Sequence, residues 1–244
     1  MTPGIHDITQ AHEELKSTSS LGDILDNLLD KRLGFVSQPG RSGSFFASSV
    51  GNPCDRLLWL QFNGKTAPGQ VSSILKRIFD HGNITQNRYL EYFKKVDVYV
   101  NSEVQCKMTD PVKISGRADF ILSINGHPYI VELKTIKASD FNALDGPKKE
   151  HLIQLQVYLN LLNIENGAVL YECKDNQQIK LFDTTKNSGL FQQFVSRCER
   201  ISKLPMMPKL IEVASIHSGY CDCTKVKDSN EEFSNSEIQD DLDS

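Results

Sequence analysis

Asp119, Glu132 and Lys134 stand on either side of Asn125-Gly126, a dipeptide suited to a tight turn because both residues tolerate positive φ. Around that turn, apolar residues alternate with polar ones, the period of two expected of strands. Ala118, Phe120, Leu122 and Ile124 share one face of the first strand, and Asp119, Ile121 and Ser123 share the other. On the second strand Ile130, Glu132, Lys134 and Ile136 fall together. A two-residue loop pairs Ile124 with His127. Carried back along the strands, that register sets Asp119 directly opposite Glu132, with Cβ atoms roughly 4.5–5.5 Å apart. Two like charges at that spacing repel unless a positive group lies between them. A hard divalent cation of the magnesium type binds carboxylate oxygens and would serve. Lys134, two residues on and on the same face as Glu132, can neutralise charge or orient an attacking water beside such a cation.

The run Gly116-Arg117-Ala118-Asp119, followed on the next strand by Glu132-Leu133-Lys134, resembles the signature of the PD-(D/E)XK nuclease superfamily. Gln154 and Tyr158 lie four apart on a later helix and resemble the QxxxY motif of its RecB-like branch. The resemblance covers about residues 75–182 and implies an α/β fold. Its restriction endonuclease-like core has a mixed central sheet flanked by helices, here with a helical N-terminal lobe. It further implies that Asp119, Glu132 and the Leu133 carbonyl hold magnesium or manganese, that Lys134 is catalytic, that Gln154 contacts the DNA backbone or a water near the metal, and that Tyr158 stacks or bonds near the scissile phosphate. RecB-like nucleases also carry a glycine followed four residues on by His or Glu. Here Gly82 is followed by Gln86, a poor ligand, with His81 just before the glycine as a substitute. Glu91 is a further acidic residue on the same stretch, read as solvated.

Positioning these groups requires an ordered set of elements. Ser20 can cap a helix from about Leu21 to Arg32, whose stripe of Leu21, Ile24, Leu25, Leu28 and Leu29 reads as packing surface. Residues 34–47 read as loop. A helix begins near Ser49 or Asn52, with Pro53 in its first turn, and Arg56 at its start could hold a phosphate or lie at the surface. Two helices are expected over Val71–Asp80 and Asn83–Lys95, broken at Phe79-Asp80-His81-Gly82. Strand signals follow at Val96–Val100, Gln105–Met108 and Val112–Ser115, then the hairpin, the helix bearing Gln154 and Tyr158, strands 168–173 and 179–182, and a last helix over about Leu190–Lys203. The expected organisation is an N-terminal lobe at 1–70, a nuclease core at 71–226 and a disordered acidic tail at 227–244.

Net charge is −4, but seven carboxylates follow Lys227 with no basic residue, and setting them aside leaves the rest at +3. A weakly basic body permits DNA binding. The tail reads as solvated, or as a surface for a protein partner. No apolar run spans a bilayer and no secretory signal is visible, so a cytoplasmic location without membrane contact is the expectation.

Six cysteines in such a compartment are not expected to form disulfides. Cas4-like relatives bracket the nuclease core with cysteines that hold an iron–sulfur cluster. Cys54 lies before the core here, and Cys221 and Cys223 after it, but as Cys-x-Cys and with no cysteine beyond. With His217 these would make a tetrahedral zinc site; Cys198 is the other candidate for the fourth ligand. Zinc, an iron–sulfur cluster and unligated thiols are three open readings. The activity implied is hydrolysis of DNA phosphodiester bonds, as by exonucleases of phage or CRISPR-associated type acting on single strands or duplex ends. The alternatives are a nuclease fold that binds DNA or protein without cutting, a site-specific endonuclease, and an unrelated α/β protein.

Overall fold

The computed structural model describes residues 20–37, 42–66 and 69–208. The chain divides into two compact units, Met1–Gln38 with Pro68–Asn83, and Pro39–Ala67 with Ile84–Ser244. The elements in order are α1 (Leu21–Leu33), β1 (Phe35–Ser37), β2 (Phe45–Phe46), α2 (Ala47–Val50), α3 (Asp55–Phe62), β3 (Gly69–Val71), α4 (Ser73–Lys95), β4 (Tyr99–Met108), β5 (Ile114–Ile124), β6 (His127–Ile136), α5 (Ala138–Asn142), α6 (Lys149–Leu161), β7 (Asn166–Cys173), β8 (Ile179–Thr185) and α7 (Ser188–Ser202).

In the first unit Ser20 caps α1 as expected. Its hydroxyl accepts the Asp23 N–H at 3.2 Å, and the Asp23 carboxylate accepts the Ser20 N–H at 3.0 Å. The leucine stripe of α1 is not core: no residue of this helix is buried, and Leu21 and Leu25 face solvent. β1 and β3 form an antiparallel ribbon where a loop was expected on one side. Contacts between segments over thirty residues apart leave no local signal in a stretch this short.

The expected break before Asn83 is absent. Ser73–Lys95 is one continuous 23-residue helix. An interior glycine costs a helix only about 1 kcal/mol relative to alanine, too little to end it unless the chain turns left-handed there. Gly82 is not among the residues with positive φ.

The second unit is built on a six-stranded mixed sheet in the order β2-β5-β6-β7-β8, with β4 also paired to β5. β6 and β7 run parallel, so the chain must cross over between them, and α6 makes that crossover. The α/β class and the mixed sheet are as the sequence implied. β4 is one strand rather than two, with an irregular register between Tyr99 and Asn101. Residues 153–159 of α6 are all buried, two glutamines among them. A helix buried on every side is fixed by the core around it. One core cluster gathers Leu58, Ile114, Ile130, Leu155 and Tyr171. A second, smaller one gathers Tyr89, Phe120, Leu122, Val131, Leu133 and Leu170. Among the described residues no helix is long and apolar enough to cross a membrane.

Candidate active site

The hairpin closes as its turn residues dictate, with Asn125 at φ 52° and Gly126 at φ 80°. The β5–β6 ladder pairs Ile124 with His127 and continues in constant register to Phe120 with Val131. One step further would set Asp119 against Glu132, but the ladder ends there. The Leu133 N–H donates instead to the Asp119 carboxylate, Oδ2, at 2.9 Å. On the other side of β5, pairing to β4 passes from Ser102–Phe120 to Val104–Ala118, and the intervening Glu103 sits at φ 52°. Ala118 packs in the larger core and Phe120 in the smaller. The simple alternation expected along β5 therefore breaks at Asp119, where one side chain does the work of a backbone acceptor.

Glu132 is 1% exposed. Its Oε1 lies 2.6 Å from Lys134 Nζ, and its Oε2 is buried with no hydrogen-bond partner among the described residues. Burial, then the charge of Asp119, push its carboxyl up to about 8. Burial likewise raises Asp119, against the Leu133 N–H bond and the nearby Lys134 and Arg117 that favour its charged form. Two carboxyls in this relation titrate as a pair. An orphaned buried acceptor beside a second carboxylate is a costly arrangement.

Lys134 Nζ also donates to Gln154 Oε1 at 3.1 Å, and Gln154 Nε2 donates to Tyr158 Oη at 2.8 Å. A polar relay thus runs from Glu132 through Lys134 and Gln154 to Tyr158, joining β6 to α6. Gln154 and Tyr158 are buried, and burial raises the tyrosine hydroxyl well above its ordinary value. Gly116 faces that tyrosine. A Cβ on it would come within 2.6 Å of Tyr158 Cε1 and 2.7 Å of Ala47 Cβ. The glycine three residues before Asp119 is needed because the ring of the later motif fills the space.

His151 and Tyr171 were not anticipated. His151 Nδ1 lies 2.7 Å from Tyr171 Oη, which accepts the Lys148 N–H at 2.9 Å. Tyr171 is the direct partner of Lys134 in the β6–β7 ladder. Burial, then Lys134 and Lys148, hold the imidazole down at about 3, so it is neutral at physiological pH. The signal for it lay in the sequence: His151, Gln154 and Tyr158 follow i, i+3, i+7 spacing and share one helix face.

Gln86 and His81 lie on α4, both half-buried; His81 belongs to the first unit, and its Nδ1 is buried without a partner among the described residues. Glu91 is exposed and paired with Lys94 at 3.0 Å on its own helix. Among the described residues no group of three or more His, Cys, Asp or Glu is arranged to hold a metal. Arg56 neither lies at the surface nor stands ready for a phosphate. It is 4% exposed and donates to the Pro208 carbonyl, and its helix begins at Asp55, an acidic residue at the end where an anion would dock. Cys54 caps that helix, its Sγ accepting the Leu57 N–H at 3.3 Å. Cys106, Cys173 and Cys198 are buried thiols outside any disulfide. His217, Cys221 and Cys223 of the expected cysteine site, and the acidic tail, lie outside the described residues.

A family model described as the PD-(D/E)XK nuclease superfamily matches residues 5–226. No curated protein matches the chain. Among solved structures the chain is similar to the crystal structure of SSO0001, at TM-score 0.48 and 18% identity over 75% of this chain and 87% of that one. It is similar to an alkaline exonuclease (LHK-Exo) from Laribacter hongkongensis, at TM-score 0.47 and 11% identity over 66% and 87%. A phage related exonuclease from Haemophilus somnus 129PT aligns at TM-score 0.39 and 12% identity over 50% and 67%.

Proposed function

The chain belongs to the PD-(D/E)XK nuclease superfamily, and from that premise we propose that it is a divalent-metal-dependent deoxyribonuclease acting as an exonuclease on DNA ends. The observation that carries this reading is the buried Glu132 carboxylate, one oxygen on Lys134 and the other without a partner among the described residues, beside Asp119. The residues fit magnesium or manganese. Magnesium takes one or two protein carboxylates and keeps several waters, so two acids and the Leu133 carbonyl suffice without a third acidic or histidine ligand.

Asp119, Glu132 and Leu133 would hold the cation, which supplies Lewis acidity toward the scissile phosphate when bound. The hydrogen bond from the Leu133 N–H fixes Asp119 Oδ2 and thereby aims its other oxygen. Lys134 is held from two sides, by Glu132 and by Gln154, which leaves one of its three N–H donors for an attacking water or a phosphate oxygen. A positive donor fixed there stabilises the negative charge that grows on phosphorus oxygens during attack. Gln154 keeps the lysine from collapsing wholly onto Glu132, and Tyr158 orients the Gln154 amide. Tyr158 keeps its proton at any physiological pH and so acts as a positioning group and not a base.

The test is hydrolysis of end-labelled linear single- and double-stranded DNA with magnesium, manganese or EDTA. Lys134→Ala should lower the rate by about 10²–10³, the loss typical of removing one preorganised charge-stabilising donor. The product ladder reads the polarity. Gln86, standing where RecB-like nucleases carry His or Glu, favours a second reading, a nuclease fold that binds DNA without cutting it. Folded wild-type protein that binds DNA and cleaves none under any metal would establish that one.

A further inference from the structure

Resting on the nuclease reading above, we infer that His151 is a substrate-contacting residue of the same site, a neutral hydrogen-bond donor for a backbone phosphate of the strand being cut. Tyr171 Oη accepts the Lys148 N–H at 2.9 Å and lies 2.7 Å from His151 Nδ1, where either atom can donate, and we take the tyrosine hydroxyl as the donor. That leaves the imidazole proton on Nε2. Nε2 makes no hydrogen bond among the described residues, and the ring is half-buried rather than sealed. The donor therefore points away from its anchor with nothing among the described residues to satisfy it.

Its neighbours say what it would meet. Tyr171, which anchors the ring, is the ladder partner of Lys134. His151 lies three residues before Gln154, which holds Lys134. Lys148, at the start of the same helix, reaches Asp140 at 3.1 Å. The Lys134 ammonium is near enough for its charge to act on this imidazole. The two lysines disfavour an added proton on the ring, so the contact is a neutral N–H donor to a charged oxygen, the kind that positions a nucleic-acid backbone without reading its sequence. Such a contact is present before and during cleavage, and it acts on binding more than on turnover.

Steady-state cleavage of labelled DNA, and anisotropy of the same labelled DNA with calcium in place of magnesium, should be compared across wild type, His151→Ala, His151→Phe and His151→Gln. Phe keeps the ring without the donor, and Gln places an amide N–H near the position of Nε2. The Ala and Phe variants should raise KM and weaken binding by about tenfold, the size expected for one hydrogen bond to a charged group, with kcat within about twofold. Gln should recover most of the loss. Rescue by Phe and not by Gln would make the residue a packing element and overturn the inference, as would a fall in kcat alone, or KM and affinity unmoved in all three. A wild type that neither cleaves nor binds DNA defeats the nuclease reading itself, and this inference with it.

Discussion

Two glutamates lie on neighbouring strands of the sheet, Glu132 on β6 and Glu172 on β7, 1% and 2% exposed. Arg88 closes on Glu172 from α4, its NH2 at 2.5 and 2.6 Å from the two carboxylate oxygens, and a second guanidinium nitrogen is 2.9 Å from Gln177. Both oxygens of Glu172 are engaged and its countercharge is delocalised and planar, the geometry suited to a lasting buried pair. Glu132 has a lysine on one oxygen, no partner among the described residues on the other, and a second carboxyl beside it. Burial alone does not mark a reactive acid, since both residues are buried alike. What differs is how the carboxylates themselves are met: both oxygens of Glu172 are engaged, although Arg88 Nε is buried without a partner among the described residues, whereas Glu132 keeps one oxygen unmet there. The first pair is part of the frame, and the second leaves one carboxylate oxygen without a partner among the described residues.

The largest effect should come from breaking the finished pair. Arg88→Ala strands Glu172 in the interior and should cost about 3–5 kcal/mol, read by urea denaturation. The comparison fails if Arg88→Ala leaves stability unchanged.

The unfinished pair should respond to pH and metal instead. The Glu132 carboxyl stands at about 8 in the folded chain, against 4.5 for an ordinary glutamate. The folded state therefore binds the proton more tightly than the unfolded one. Metal-free protein is favoured below pH about 4.5 by this group, and that contribution drains away as pH rises to about 8. Glu132→Gln should flatten the slope, and saturating magnesium should restore stability at the alkaline end. Denaturation curves with EDTA or magnesium across that range measure both, and a slope equal in wild type and Glu132→Gln would mean that Glu132 is as settled as Glu172.

A smaller effect comes from the wall behind the relay. Gly116→Ala should cost about 1–2 kcal/mol by overpacking against Tyr158 and Ala47. It should slow cleavage more than its cost in stability suggests, because it moves Tyr158 and through it Gln154 and Lys134. Activity falling only in step with the folded fraction would separate the tyrosine from the site.

Much of the site was legible in the sequence, because a tight hairpin is a local object. Asn125-Gly126 sets the turn, the turn sets the register, and the register sets Asp119 toward Glu132. Gln154 and Tyr158 were legible as a helical pair. The end of the ladder at Asp119 was not, since nothing local announces that a side chain will replace a backbone acceptor. Arg88 and Glu172 lie 84 residues apart, and neither gives a local sign of the other. The leucines of α1 followed a helical stripe faithfully and still none is buried, Leu21 and Leu25 being exposed and Leu28 and Leu29 half-buried, because periodicity reports which residues share a face and not whether anything covers that face.

The contact between Gly116 and Tyr158 makes two distant positions answerable to one another. The ring atom in the way is Cε1, which phenylalanine also has, so removing the hydroxyl opens no room. A β-carbon at 116 and a six-membered ring at 158 are mutually exclusive on this backbone. A variant of this chain carrying both would have to widen the gap between helix and strand, and with it the reach from Gln154 to Lys134. A side chain at 116 is thus barred by a ring that stands beyond the whole hairpin and the crossover in the sequence, and by Ala47 from earlier in the chain.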